Sequence, residues 1–292
     1  MDLIIYIVIY PFIWIISRLN FTSIYFVSDL FYYVLYYVFG YRKKVVRNNL
    51  KLAFPNKSDK DRILIEQKYF RNLADVFLES FKTMNISEDE MKKRYKFLNP
   101  ELLDKIYDKN QNVILIAGHY CSWEWVFILD RFTKYKINAI YKKLSNKYFD
   151  NWARSNRSKY DGNLISTKET YREILRHSKT DKLNLYGFAS DQSPRLSKAS
   201  HWGIFLGNNV PIHVGAEVIA KKYNMAVVFM DVQKVKRGFY EVNFETITEK
   251  PKDYKDYEIT DQFIKKLELQ IIKKPEFYTW THKRFKHKKS SS

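Results

Sequence analysis

The chain divides into short apolar runs and longer stretches of helical period. Residues 113–117, VILIA, are consecutive apolar residues too few for a helix of their own, and Gly118 ends them. They predict a fully buried β-strand. Runs at 137–141, 163–166, 183–189, 225–232 and 238–246 predict further strands. Between them lie helical patterns: 123–129 directly after the first strand, a stretch around Trp152, Arg154 and Arg157, then 167–177, 214–223 and 258–273. Upstream, Ser58 to Asp61 has the form of a capping box. It opens a core-facing helix carrying Ile63, Phe70, Leu73, Phe77 and Phe81 up to Lys82, and a short helix follows near 101–108. Strands separated by helices predict an α/β fold, a mainly parallel sheet flanked by helices on both faces. In such sheets ligands sit beyond the carboxyl ends of the strands, where His119, Lys142 and Asp191 fall.

The N-terminus follows another pattern. Residues 3–16 form an unbroken apolar run, short for a bilayer span and without the basic leader and small-residue site of a cleaved signal peptide. Residues 21–40 are long enough to span, but they contain Asp29 and many tyrosines, which suit the membrane interface better than the hydrocarbon centre. The pair reads either as buried core helices or as a monotopic or weakly spanning anchor. Arg42, Lys43, Lys44, Arg47 and Lys51 follow, with no acidic residue among positions 41–51, a flank that favours the cytoplasmic face and anionic headgroups. The expected organisation is an N-terminal membrane-associated helical segment over 1–40 and an α/β domain over 41–292. That domain ends in a basic tail whose interleaved Trp280 and Phe285 suit a membrane interface.

Composition narrows the partners. A formal net charge of +19, from 51 Lys and Arg against 32 acidic residues, points to an anionic partner: nucleic acid, an anionic membrane surface or an acidic carrier protein. No nucleic-acid motif accompanies the charge, so nucleic acid is not expected. The single cysteine, Cys121, rules out an intramolecular disulfide and any multi-cysteine metal site, and the scattered histidines show no zinc-type spacing.

Candidate chemistry gathers at the end of the first strand. On one continuous helix His119 and Glu124 would lie about 140° apart and would not meet. A strand-to-turn-to-helix junction removes that objection and allows an acid–base dyad. The spacing alone carries little weight, since 6 His and 32 acidic residues produce such an offset by chance. A neutral histidine held by a carboxylate is nevertheless a general base. G-x-S-x-G is absent and Cys121 lies in the same turn as His119, so the base has no convincing enzyme nucleophile to activate and should act on a substrate hydroxyl or water.

These residues, with RKKVVRNNLKLAFP at 42–55, AGHYCSWEW at 117–125, ASDQSP at 189–194, FLG at 205–207 and TWTHKRFK at 279–286, resemble the bacterial lipid A biosynthesis acyltransferases. Those are the lauroyl and myristoyl transferases within the wider lysophospholipid acyltransferase superfamily. The resemblance covers nearly the whole chain. It implies that His119 deprotonates an acceptor hydroxyl, that Glu124 orients it, and that the hydroxyl attacks a thioester carried by acyl carrier protein without a covalent enzyme intermediate. Backbone N–H groups after Gly118 are expected to serve the oxyanion. Arg154, Arg157 and Gly162 match the family's arginine and glycine segment, either as phosphate contacts or as a solvated helix face. Asp191 and Gln192 match a polar pair that is either a site element or a strand-end turn, and Arg284 joins them as a substrate-binding candidate. No cofactor or metal is expected. The implied partners are acyl carrier protein, anionic membrane lipids and a lipid A precursor, met by a monomer at the cytoplasmic face of the inner membrane. Lys142 and Lys143 stand where many relatives carry Arg-Pro, which leaves the acceptor open between lipid A and a lysophospholipid or amino-acid-based lipid. A non-catalytic basic membrane- or nucleic-acid-binding protein is the reading outside enzymes.

Overall fold

A computed structural model describes residues 1–289; the last three serines lie outside the described residues. Four helices come first: α1 (Asp2–Arg18), α2 (Phe21–Tyr33), α3 (Lys43–Ala53) and α4 (Asp59–Lys82), with a π-helical turn Val34–Val38 extending α2. α5 (Glu88–Arg94), β1 (Tyr95–Phe97) and α6 (Glu101–Tyr107) lead into β2 (Val113–Ala117). Then come β3 (Lys136–Tyr141), α7 (Lys147–Arg157), β4 (Asn163–Ser166), α8 (Thr170–His177) and β5 (Asn184–Ala189). A hairpin of β6 (His201–Phe205) and β7 (Asn208–Ile212) precedes α9 (Gly215–Tyr223), β8 (Ala226–Lys236), β9 (Phe239–Thr248) and α10 (Glu258–Lys273).

Seven strands form one sheet in the order β1-β9-β8-β2-β5-β3-β4. β8, β2, β5, β3 and β4 run parallel, as the alternation of elements requires, and β9 turns back antiparallel to β8, carrying β1 with it. β2 is central, which is why its residues 113–116 are all buried and its sequence does not alternate. α10 crosses closely over its end: a Cβ on Gly118 would lie 2.6 Å from Leu267 Cδ1, so any larger residue there would have to push the buried Leu267 side chain aside.

The N-terminal helices pack onto the body through α4, which Ser58 caps as expected by accepting from the Asp61 backbone N–H. α4 carries three buried carboxylates, and each accepts a hydroxyl from the α2 region. Tyr36 donates to Glu66 at 2.8 Å, Ser28 to Asp75 at 2.8 Å and Tyr25 to Glu79 at 3.0 Å. The β8–β9 hairpin reaches the same place: Arg237 bridges Asp75 and Asp29, and Tyr240 donates to Glu79. The other side of the layer is apolar and open. Ile4, Val8, Phe12 and Ile15 of α1, with Phe26, Leu30 and Tyr33 of α2, are exposed at helical spacing. No helix of the described residues is long and apolar enough to cross a membrane.

The structure departs from the sequence reading at three places. The stretch after β2 is a 3₁₀ helix, Glu124–Arg131, not an α-helix, and it follows a turn in which Cys121 takes a left-handed φ of 51°. The 201–212 segment, to which the sequence pattern assigned no element, is a hairpin turned by Leu206 and Gly207 at positive φ. The aromatic residues of the basic tail do not face outward toward lipid. Trp280 is fully buried and Phe285 nearly so, because residues 277–289 fold back between α3, α4 and the β6–β7 hairpin.

Candidate active site

Sheet register builds the centre. β2 and β5 pair with Ala117 opposite Ala189, so His119 and Asp191, each two residues further on, emerge side by side at the carboxyl edge. Their side chains meet, with His119 Nδ1 2.7 Å from Asp191 Oδ1. An ionised carboxylate only accepts, so Nδ1–H donates and Nε2 is left as the free acceptor of the neutral ring. Asp191 is fully buried, whereas the His119 side chain keeps 24% of its exposure. Burial acts to lower the His119 pKa, but the charge and hydrogen bond of Asp191, aided by Glu124 and opposed by Arg157, outweigh it and raise the value above that of an ordinary histidine. For Asp191 burial pulls upward, and the imidazole, with the backbone N–H groups of Asp191 and His119, brings it below the usual carboxylate range.

The expected partner of His119 sits elsewhere. Glu124 opens the 3₁₀ helix and is gripped in bidentate fashion by Arg157 of α7, Nε to Oε2 at 2.9 Å and Nη2 to Oε1 at 2.5 Å, with the Trp123 indole donating at 3.2 Å. Glu124 therefore acts on His119 through its charge, while the hydrogen-bonded carboxylate is Asp191. Sequence reasoning placed Asp191 with His119 at the carboxyl ends of the strands but did not pair the two. The available signal was that both residues stand two positions past the end of a strand.

The tail fixes the turn. Thr279 donates to the His119 carbonyl from its backbone N–H and its Oγ1, and the Cys121 N–H donates to the Phe277 carbonyl. Tyr120 N–H is spent on Gly118. The N–H groups of residues 119–121 are thus engaged, which leaves the expected backbone donors for an oxyanion to the residues after them, at the start of the 3₁₀ helix. The tail is itself held by the 42–55 segment. Asn49 donates to the Trp280 and His282 carbonyls at 2.7 Å each, and Arg42 to that of Thr281. Two stretches that stood out separately in the sequence are therefore one structure.

Behind Asp191 lies a buried polar group that sequence reasoning assigned only in part. His282 Nε2 accepts the Ser193 N–H, and burial takes the His282 pKa down to about 4, so its ring is neutral in physiological conditions. Arg284 is fully buried. One nitrogen donates to the Pro211 carbonyl, and Nε and Nη2 have no partner among the described residues. Its charge and the Tyr278 hydroxyl both act on Asp191. Arg284 thus backs Asp191, inside the protein.

The remaining candidates separate. Gln192 is half-buried and makes no side-chain hydrogen bond among the described residues. Arg154 and Gly162 line a cleft of about 330 Å³ at the β4 edge of the sheet, with Asn163, Glu169, Arg176 and His177, three strands from β2. Of the Arg154, Arg157 and Gly162 set, only Arg157 reaches the His119 centre. Cys121 is buried, and burial pushes its thiol far above the ordinary range, so it is no nucleophile. No metal-ligand cluster occurs among the described residues.

An open α/β sheet with a carboxylate-held histidine at the end of its central strand can supply a base to a group-transfer reaction. The family comparison says which: the model for bacterial lipid A biosynthesis acyltransferases matches residues 2–287, and the chain belongs to that family and is an acyltransferase. Among characterised relatives it is similar to lipid A biosynthesis acyltransferase 2 of Shigella flexneri, 23% identical over 83% of this chain and 77% of the relative. It is also similar to the lipid A biosynthesis palmitoleoyltransferase of Escherichia coli K12, 23% identical over 84% of this chain and 79% of the relative.

Proposed function

We propose that this enzyme moves a fatty acyl chain from an acyl carrier protein thioester to a hydroxyl of a lipid A precursor, with His119 as general base. The observation that carries this reading is the His119–Asp191 contact of 2.7 Å, which presents Nε2 to an acceptor. The acceptor hydroxyl gives its proton to Nε2 as its oxygen attacks the thioester carbonyl. The tetrahedral intermediate collapses to the ester, and the departing thiolate takes the proton back. Asp191 holds the tautomer and stabilises the imidazolium. Glu124 adds charge at the ring and fixes Arg157, whose Nη1 has no partner among the described residues and is available to the developing oxyanion.

The acceptor class comes from the family and the relatives' names, and the carrier from the charge of +19, which complements an acidic carrier and a phosphorylated lipid. The exposed apolar face of α1 and α2 supports attachment in the plane of the inner membrane on its cytoplasmic side, as an interfacial anchor and not a span. Bordering cations, such as Arg18 stacked on Trp14 at 3.6 Å, suit headgroup depth. The test is acyl transfer from labelled acyl carrier protein to an under-acylated lipid A precursor by wild type and His119→Ala. Transfer by wild type alone is expected; transfer by a folded His119→Ala removes the base assignment, and failure of the wild type on this pair removes the donor and acceptor.

A further inference from the structure

A second polar cavity, of about 320 Å³, lies between α2, α4, the β8–β9 hairpin and the tail, at the same end of the sheet as His119. β8 pairs with β2 as Phe229 opposite Ile116, and counting on from there sets Lys234 level with Cys121. Four cations line the cavity: Lys68, Arg71, Lys234 and Arg237. Three carboxylates face them: Asp29, Asp75 and Glu276.

The charges are not evenly used. Buried Asp75 takes Lys234 at 3.1 Å and Arg237 at 2.7 Å, and Asp29 takes the other edge of Arg237. These pairs fix one wall. Lys68 and Arg71, one turn apart on α4, form no ion pair among the described residues, although Glu276 lies across the opening. Arg71 is held over the Tyr32 ring at 5.0 Å, which orients its guanidinium without neutralising it. A pre-oriented guanidinium beside an ammonium, in a cavity larger than a single small ion needs, is the donor set for a phosphate group with something attached. The attached part is indicated by the rim. Asp29 lies on α2 beside Phe26, Leu30 and Tyr33, which are exposed on the apolar face.

We propose that this cavity binds the phosphate of an anionic lipid headgroup, drawn in from the membrane beside α2. The lipid source rests on the reading of the α1–α2 face as membrane-facing, whereas the phosphate chemistry rests on Lys68 and Arg71. The experiment separates the two. Flotation of the full chain with pure phosphatidylcholine vesicles tests the apolar face. Titration calorimetry with soluble dihexanoyl phosphatidic acid, and with inorganic phosphate alone, tests the cavity whether or not the vesicles bind. The wild type should bind the short-chain lipid, Lys68→Gln/Arg71→Gln should bind it about tenfold or more weakly, and Lys179→Gln/Lys182→Gln, which removes two exposed cations before β5 at the opposite end of the sheet, should bind like the wild type. Inorganic phosphate binding as tightly as the lipid would overturn the headgroup assignment in favour of a free phosphate. No binding by the wild type, or equal losses in the two double variants, would overturn the site.

Discussion

Asp191→Asn is the sharpest test of the site because it keeps the shape and removes the charge. The His119 to Asp191 contact is 2.7 Å, and its charge centres lie further apart, at about 4 Å; in a partly screened site that corresponds to about 4 kcal/mol of attraction before desolvation. The ring keeps 24% of its exposure, and with the desolvation offset about half of that survives as stabilisation of the imidazolium, about thirtyfold in rate. An Asn amide also allows the ring to bond in the wrong tautomer, so the whole loss should be about 10²–10³. Because the folded His119 pKa is raised, wild-type transfer should climb with pH through a midpoint above that of ordinary histidine. In the variant burial acts on the ring without Asp191, and the midpoint should move down. Stability follows the same charges. The share from His119 is complete below the unfolded histidine pKa and fades as pH rises through the folded one. The share from Asp191, whose pKa is depressed, is present above the ordinary carboxylate range and fades as pH falls through its folded value. The assay is the pH profile of acyl transfer under kcat/KM conditions. A variant within threefold of wild type and with an unmoved midpoint would refute the role of Asp191.

Glu124→Gln should lower transfer and move the same midpoint downward by less than Asp191→Asn, since Asp191 acts on His119 more strongly; matched pH profiles of the two variants decide this. Gly238→Ala should destabilise the fold by about 2 kcal/mol, read as a lower denaturant midpoint, because Gly238 has φ 73° and its missing Cβ is where the Tyr25 hydroxyl packs. Cys121 should resist iodoacetamide at pH 8 in the native protein and react fully in urea, as mass spectrometry will show, since its thiol is buried and its pKa raised.

Much of the sheet was legible because local pattern decided it. The all-apolar β2, the short β4 over 163–166, and α10 from residue 258 to 273 coincide with the runs and the helical period read for them. What escaped depended on pairing between distant segments. His119 and Asp191 are 72 residues apart and meet only through strand register, whereas the nearby Glu124 offered a spacing that could be counted in the sequence. The tail was read as an interface segment from Trp280 and Phe285 among its cations, yet Trp280 and Arg284 are among the largest fully buried side chains, and only contacts with α3, α4 and the β6–β7 hairpin put them there. The β6–β7 hairpin lacks the Asn-Gly or Asp-Gly turn that marks most short hairpins, and Leu206-Gly207 takes that place.

The three hydroxyls that α2 and its π-helical turn lend to Glu66, Asp75 and Glu79 bear on how the protein can be made in quantity. The first 40 residues look like a detachable hydrophobic leader, and cutting them off is the usual route to a water-soluble form. Here the cut would strip one hydrogen-bond donor from each of three buried acids, at about 1–3 kcal/mol apiece, a sum comparable to the whole margin by which a domain of this kind stays folded. A soluble version is better sought by recolouring the outer stripe, exchanging Ile4, Val8, Phe12 and Ile15 for polar residues while leaving Tyr25, Ser28 and Tyr36 in place.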